Sequence, residues 1–241
     1  MIADTAYMAR RLWLLGEWDA ALAALAPDTE PELRAEIAVE RWFFQLAGHD
    51  EAEQAVAALD PASPTAQVLR ARLAYSRLLF RRDPRPDDRA DADAGFRNAV
   101  RDGDQATRGW AEFHWGCLLD NVDGDARGAV PLFEAALEVG VKERDARLES
   151  ISVRHLSAHR EPAEGVQMLR RSLHLRAALG ARALTLAAQA ALASALPEDD
   201  PERADLVQTY SVGAEELRIP WLLGGATGST ESFEDFEYFE D

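Results

Sequence analysis

The sequence has very little cysteine and no long apolar run. Cys117 is the single cysteine among 241 residues, which excludes an internal disulfide framework and predicts a reducing, cytoplasmic environment. No stretch of 18 apolar residues occurs, so the pattern predicts no transmembrane helix. Residues 1–15 show no cleavage site after an apolar stretch, and we therefore expect no signal peptide.

Positive charge is also scarce. The chain has 43 acidic and 26 basic residues, a net charge of −17, which argues against nucleic-acid binding because that requires a basic surface. Lys142 is the only lysine, and the arginine-rich, alanine-rich composition is typical of a GC-rich bacterial genome. Arginine also suits bidentate recognition of carboxylates. The partners we expect are proteins or peptides, either a basic protein or one with an acidic C-terminus, with no nucleic acid and no membrane.

A spacing repeats along the chain. Large apolar residues recur 34–37 positions apart, and at the first five of them the residue four positions earlier is small. The large residues are Leu25, Leu59, Phe96, Phe133, Leu169 and Leu206, and the small ones are Ala21, Ala55, Ala92, Ala129 and Gly165. Positions i and i+4 share one helix face, where a small residue allows another backbone to approach. The period indicates stacked two-helix units.

Capping and helix-breaking residues predict about six helix pairs. The expected pairs are 3–16 with 18–26, 31–47 with 50–59, 64–81 with 88–101, 104–119 with 125–139, 142–158 with 161–179, and 181–195 with 201–217. The apolar segment 219–223 is expected to cover the exposed end of the stack, because terminal repeats need a cap. No alternating pattern typical of strands competes with this prediction.

The segment GEWDAALAAL resembles the tetratricopeptide-repeat (TPR) family. Gly16, Trp18, Ala21 and Leu25 occupy the family's glycine, aromatic, small and large positions. The Ala-x3-Phe-x2-Ala part recurs in the third and fourth pairs, although the spacing exceeds the family's usual repeat of about 34 residues. The resemblance implies an all-α, right-handed superhelix of about six antiparallel helix pairs, a TPR-like solenoid. We expect this domain and its cap to span 1–223.

The last 18 residues, 224–241, differ in character from the rest. The stretch GGATGST has the composition of a flexible linker, and ESFEDFEYFED follows with six acids and four aromatics. In a helix Phe233, Phe236 and Phe239 would share one face, with Tyr238 as the fourth aromatic. The tail is interpreted either as a disordered, solubilising terminus or as a docking motif that folds into a groove, including this chain's own groove.

The resemblance also implies that the first helix of each pair lines the inner face, where TPR proteins bind peptides. The candidate residues there are Arg70, Arg77, Arg81, Arg147, Arg154 and His155. Within each of two pairs, Arg70 with Arg77 and Arg147 with Arg154, the spacing of seven places both residues on one helix face. These faces are either solvated and ion-paired or form a groove for an acidic peptide. The family's carboxylate clamp of lysines and asparagines is not supported.

No metal, cofactor or catalytic site is predicted. His155 and His159 are spaced i, i+4 but lack a third ligand of suitable type nearby. Cys117 is expected to be a small buried hydrophobe, although His114 three residues earlier could activate it as a thiolate.

The function predicted from these observations is a non-catalytic scaffold or adaptor that binds a protein or peptide on the concave face. One alternative is a regulatory sensor whose acidic tail competes with a ligand for the groove. Another is an enzyme or biosynthetic accessory protein on a helical-repeat scaffold.

Overall fold

The computed structural model describes residues 5–26 and 29–224, and within these ranges the chain is helical without any strand. The helices are α1 (Thr5–Leu14), α2 (Trp18–Ala24), α3 (Pro31–Gln45), α4 (His49–Ala57), α5 (Pro64–Phe80), α6 (Asp88–Asp102), α7 (Gln105–Asn121), α8 (Ala126–Glu143), α9 (Ala146–Ser157), α10 (Pro162–Leu179), α11 (Arg182–Ala195), α12 (Pro201–Leu217) and α13 (Pro220–Leu223). The all-α prediction is confirmed. The tail residues Phe233, Phe236, Tyr238 and Phe239 lie outside the described ranges.

The helix boundaries follow the local capping chemistry. The twelve predicted helices coincide with α1–α12 to within four residues at every end. The largest departure is at the end of α8, which continues to Glu143 instead of stopping at 139. The next helix starts correspondingly late, because the Asp145 side chain accepts hydrogen bonds from the backbone N–H groups of Arg147 and Leu148, both at 3.0 Å.

The repeating large residues all contribute to the core. Each lies on the second helix of a pair or directly after it, and none is more than 9% exposed. The small residues four positions earlier let the two helices of a pair approach closely. At Gly165, for example, a Cβ would lie 2.8 Å from the backbone oxygen of Ser157. The repeat period in the sequence therefore corresponds to one helix pair.

The helices form two layers. Each helix packs on its neighbours in the chain, and the first helices of successive pairs (α3, α5, α7 and α9) also contact one another in order. In each pair, the first helix has one face that packs on the second helix and one face that points away from it. Side chains on the face that points away are called inward-facing.

The two ends of the described chain pack together. One apolar core contains residues of α1, α2 and α3 together with residues of α10 to α13. The Gln45 side chain donates a hydrogen bond to the Leu217 backbone oxygen at 3.0 Å, and a Cβ on Gly16 would lie 2.8 Å from Leu217 Cδ1. The helix array therefore closes on itself.

The segment 219–223, predicted to cover the end of the stack, contributes the buried Ile219 and Leu222 to this core. Helix α13 also lies against α3, where the Trp221 ring packs on Phe43, Phe44 and Phe80 with centroid distances of 5.9, 5.6 and 6.4 Å. A four-residue helix has little stability of its own, so these aromatic contacts hold it in place.

Among the described residues, no helix has the length and apolarity to cross a membrane.

Candidate binding surface

Three arginines of the first helices α5 and α9, and one of the second helix α10, act electrostatically on one another or on shared neighbours. Arg72 lies on α5, Arg147 and Arg154 on α9, and Arg176 on α10. The positive charge of Arg176 is opposed by those of Arg154 and Arg147, and Arg72 and Arg154 both act on the Cys117 thiol. We call this group of four the inner basic surface.

Arg147 connects helices from both ends of the chain. Its guanidinium lies over the Trp13 ring of α1 at 4.5 Å and over the Trp110 ring of α7 at 5.2 Å. It also forms an ion pair with Glu40 of α3, whose other carboxylate oxygen accepts a hydrogen bond from Trp13 Nε1 at 2.7 Å. The Arg147 guanidinium thus connects α9 to α1, α3 and α7.

The other three arginines have no such partner. Arg72, Arg154 and Arg176 form no ion pair with a carboxylate in the part of the chain that the structure describes. Arg154 Nη1 lies 3.3 Å from the nearer nitrogen of the His155 ring. Arg176 is 3% exposed and its Nη1 donates to the Leu184 backbone oxygen at 2.8 Å, but its Nε–H has no acceptor among the described residues.

Desolvation dominates the electrostatics of this surface. Burial lowers the pKa of Arg72 to about 10, that of Arg147 to about 10 and that of Arg176 to about 9. Glu36 of α3 lies near enough to Arg147 and Arg72 to offset part of this effect, but burial raises the pKa of Glu36 itself. Arg147 is compensated by its ion pair with Glu40, whereas Arg72 and Arg154 have only the longer-range charges of Glu36 and Asp120 respectively.

Two half-buried histidines adjoin the surface. Desolvation lowers the pKa of both His114 and His155 well below the usual value, and the neighbouring arginine charges act in the same direction. His114 stacks on Trp110 at 5.9 Å and on Phe96 at 6.1 Å, and its Nε2 has no hydrogen-bond partner among the described residues. Both imidazoles are therefore neutral at pH 7.

Cys117 lies beside His155 rather than His114, with Sγ and Nε2 separated by 3.8 Å. Burial raises the pKa of the thiol, so the reactive thiolate considered from the sequence does not form in this setting. His159 hydrogen-bonds Asp120 at 3.3 Å. Within the described ranges no group of three potential metal ligands occurs.

The structure brings together three of the six predicted groove residues: Arg147, Arg154 and His155. It does not bring Arg77 to the inward-facing side. That side chain points toward the outer helices, where it forms a buried ion pair with Asp88 of α6 and a second pair with Glu53 of α4 at 3.0 Å. The expectation that Arg77 lines the inner face is corrected accordingly.

Arg70 and Arg81 also lie away from the inner basic surface. Arg70 Nη1 donates to the Pro61 backbone oxygen at 3.2 Å, in the loop before α5. Arg81 is exposed at the end of α5 in a left-handed conformation with φ +52°. Local sequence patterns give no sign of Arg72 and Arg176, or of Glu36, Glu40 and Trp110, because these residues interact with distant parts of the chain.

A separate groove of about 460 Å³ lies on the outside, between α2, α3 and α4. Its charged residues largely neutralise one another, since Arg41 pairs with Asp19 at 2.9 Å and with Glu51 at 2.5 Å. No ligand charge is therefore implied there.

Comparison with known proteins gives no match, either to a protein-family model or to a curated protein sequence.

Proposed function

We propose that this protein is a non-catalytic binding module of TPR-like helix pairs, and that its recognition surface is the inner basic surface. The observation that supports this most directly is that Arg176 is 3% exposed and, like the half-buried Arg72 and Arg154, forms no ion pair with a carboxylate of the described residues. A desolvated charge without a partner costs several kcal/mol, so such a surface is better matched to an acidic ligand than to water alone.

In this proposal the protein acts as an adaptor, and the acidic ligand is a segment of a partner protein or a peptide. A right-handed superhelix of six pairs turns the first helix of each pair inward, and the contacts among α3, α5, α7 and α9 are compatible with that arrangement. Bidentate pairing with arginine would give the interaction its geometric specificity.

A second candidate is the regulatory sensor. The closure of the array supports it, because a ligand that reaches the inner basic surface also lies close to the contacts between the two ends. Arg147 illustrates this, since it contacts Trp13 of α1 and Glu40 of α3 at once. In this version the acidic tail, residues 231–241, competes with the ligand, and that role stays a prediction.

The adaptor is tested by affinity capture from lysate followed by mass spectrometry. We would compare the full chain with a variant carrying Arg72→Gln and Arg154→Gln, and with a control carrying Arg170→Gln and Arg182→Gln. The control arginines form surface ion pairs with Glu202 and Glu216, so the net charge of the two variants is the same. The adaptor proposal expects a partner that the control retains and the Arg72/Arg154 variant loses.

A partner held equally by all three forms would contradict recognition through the inner basic surface. If none of the three forms captures a partner protein, the adaptor proposal is contradicted. A 1–230 truncation run in parallel tests the sensor: the tail competes if the truncated chain captures more of the same partner, and it does not compete if capture is unchanged.

A further inference from the structure

One face of α1 is exposed and carries apolar and basic side chains together. Tyr7, Met8 and Leu15 are 61%, 47% and 43% exposed, and they make up half of the large exposed hydrophobic residues in the described ranges. Arg11 is exposed as well. Because the Leu15 N–H donates to the Arg11 backbone oxygen at 3.3 Å, the helical turn continues to Leu15, and the four side chains lie within about 100° of one face. We call these four residues the α1 outer face.

The α1 outer face lies opposite the side of α1 that packs into the protein. Ala6 and Ala9 are buried in the core that the two ends of the chain share, and Trp13 packs against that core. Helix α13 packs on α12 and α3, and the α1 outer face stays exposed. The terminal helices of a stack need a cover, and a contiguous exposed apolar patch is typical of an interaction site.

The closure of the array brings the end of the described chain close to α1. Gly16 directly follows the α1 outer face, and a Cβ there would lie 2.8 Å from Leu217 Cδ1 at the end of α12. The described chain ends seven residues later, at Gly224. Residues 225–230 span at most about 22 Å when extended, and α1 itself is about 15 Å long. The segment 231–241 is therefore within reach of α1 in the same chain.

The composition of 231–241 complements the α1 outer face. The segment has six acidic residues, four aromatic residues and no basic residue. Helix α1 has the opposite character, with Arg10 and Arg11 and no acidic residue. Aromatic side chains suit the exposed apolar residues of α1, and carboxylates pair with guanidinium groups. Eleven residues would form a helix of about 16 Å, close to the length of α1.

We propose that residues 231–241 dock on the α1 outer face of the same chain, with aromatic rings over Tyr7, Met8 and Leu15 and carboxylates beside Arg11. The segment then covers the exposed side of the first described helix. The proposal does not rest on the adaptor function. It gives the tail a docking site outside the inner basic surface, so it is an alternative to the competing role of the tail in the sensor.

The test is paramagnetic broadening of backbone amide NMR signals in the full chain, with a nitroxide label attached at Ser232→Cys. Cys117 is 3% exposed, so the label reacts with the introduced thiol. Compared with the reduced label, the nitroxide should broaden the signals of α1 at least fivefold more than those of α8. Because the segment docks within one chain, the broadening should not change on tenfold dilution.

Two matched variants locate the docking site. Arg11→Gln with Leu15→Ser removes one basic and one apolar side chain from the α1 outer face and should reduce the broadening of α1 at least fivefold. The control, Arg127→Gln with Val141→Ser, removes an exposed arginine and an exposed valine from α8 and should leave it unchanged. All the replaced side chains are exposed, so both variants should keep the far-UV circular dichroism spectrum of the unmodified chain.

A change on the tail side tests the proposal without touching the described helices. Phe233→Ser, Phe236→Ser and Phe239→Ser combined should abolish the broadening of α1. An independent readout is chymotrypsin cleavage within 231–241 of the unlabelled full chain. Cleavage should be at least fivefold faster in the Arg11/Leu15 variant than in the unmodified chain, whereas the Arg127/Val141 control should be cleaved at the unmodified rate.

Equal broadening of α1 and α8 would overturn the inference. Stronger broadening around Arg72 and Arg154 would overturn it too, because the tail would then occupy the inner basic surface. Broadening that grows with protein concentration would mean that the tail docks on a second copy instead of its own chain. None of these outcomes depends on a captured partner, so failure here leaves the adaptor proposal unaffected.

Discussion

The indole Nε1 of Trp221 donates a hydrogen bond to the backbone oxygen of Phe43 at 3.2 Å, across 178 positions of sequence. The bond joins the last described helix to the second helix pair, and Trp221 also packs on three phenylalanine rings. Trp221 therefore adds to the closure of the helix array, beside the apolar core that α1 to α3 share with α10 to α13.

Trp221→Ala tests this contribution. We expect the free energy of unfolding to fall by about 2–4 kcal/mol, because a large, partly buried aromatic is lost from the contact between the ends. Trp221→Phe keeps a ring but loses the hydrogen bond, and should cost about 1 kcal/mol in addition to any repacking. Urea unfolding followed by far-UV circular dichroism measures both. Equal stability of Trp221→Ala and the unmodified chain would refute the importance of the closure.

The ion pair between Arg77 and Asp88 is the second test. Asp88 is 1% exposed and accepts hydrogen bonds from Arg77 Nε and from the Arg85 backbone N–H at 2.7 Å. Asp88→Ala leaves the buried guanidinium without its main partner and should lower the free energy of unfolding by about 3–5 kcal/mol.

A matched control for Asp88→Ala is Asp123→Ala, which removes the partner of Arg89 from a more exposed pair. That pair is 38% and 27% exposed, so we expect a loss of less than about 1 kcal/mol. Similar losses for the two variants in urea unfolding would mean that burial does not determine the strength of these pairs.

Gly140→Ala tests the close contact between α8 and α9. Helix propensity alone predicts that this change stabilises the chain by about 1 kcal/mol. The tertiary structure predicts the opposite sign, because the added Cβ would lie 2.7 Å from the backbone nitrogen of Glu149, which has no side-chain freedom to move away. We expect a net loss of about 1–3 kcal/mol from overpacking, measured by thermal and urea unfolding. A stabilised variant would show that α8 and α9 are further apart than described.

His155, which lies next to Cys117, should make the free energy of unfolding depend on pH. Desolvation, followed by Arg154 and Arg176, lowers the pKa of His155 below its ordinary value near 6.5. The unfolded chain therefore binds the proton more readily, and the stability that the neutral imidazole provides is present above pH 6.5 and lost as the pH falls below it. Glu36, with its raised pKa, acts in the opposite direction on acidification.

His155→Gln should accordingly lose less stability between pH 7.5 and 5 than the unmodified chain. His114 contributes in the same direction, so the dependence should become shallower without disappearing. His174→Gln, which removes an exposed imidazole from α10, is the matched control for the loss of a histidine. The measurement is the urea midpoint at several pH values. Equal slopes for His155→Gln and the unmodified chain would contradict a neutral, desolvated His155.

Much of the local structure was predictable because its causes are local. Proline at the starts of α5 and α12, and the aspartate before α7, act within one helical turn, and the helices begin there. The spacing from Phe96 to Phe133 reflects one helix pair, and both residues are fully buried. Helix α8 continues four residues past its predicted end, through Gly140, whose close approach to the backbone of Glu149 no local pattern indicates.

The candidate surface was predictable only in part. A spacing of seven correctly indicates that two residues share a helix face, but it does not say which way that face points. Arg77 points outward to Asp88, whereas Arg154 points inward to His155. The partners of Arg147 lie 107 residues away on Glu40 and on two distant tryptophans, and no local signal in the sequence connects them.

The sequence by itself determined where helices begin and end and which residues pair them, because capping, helix propensity and apolar spacing act over one or two turns. The tertiary structure decided the closure of the array and the gathering of Arg72, Arg147, Arg154 and Arg176. Both depend on contacts between residues that are far apart in the sequence, such as Trp221 with Phe43 across 178 positions. No pattern that acts over one or two helical turns encodes such a contact.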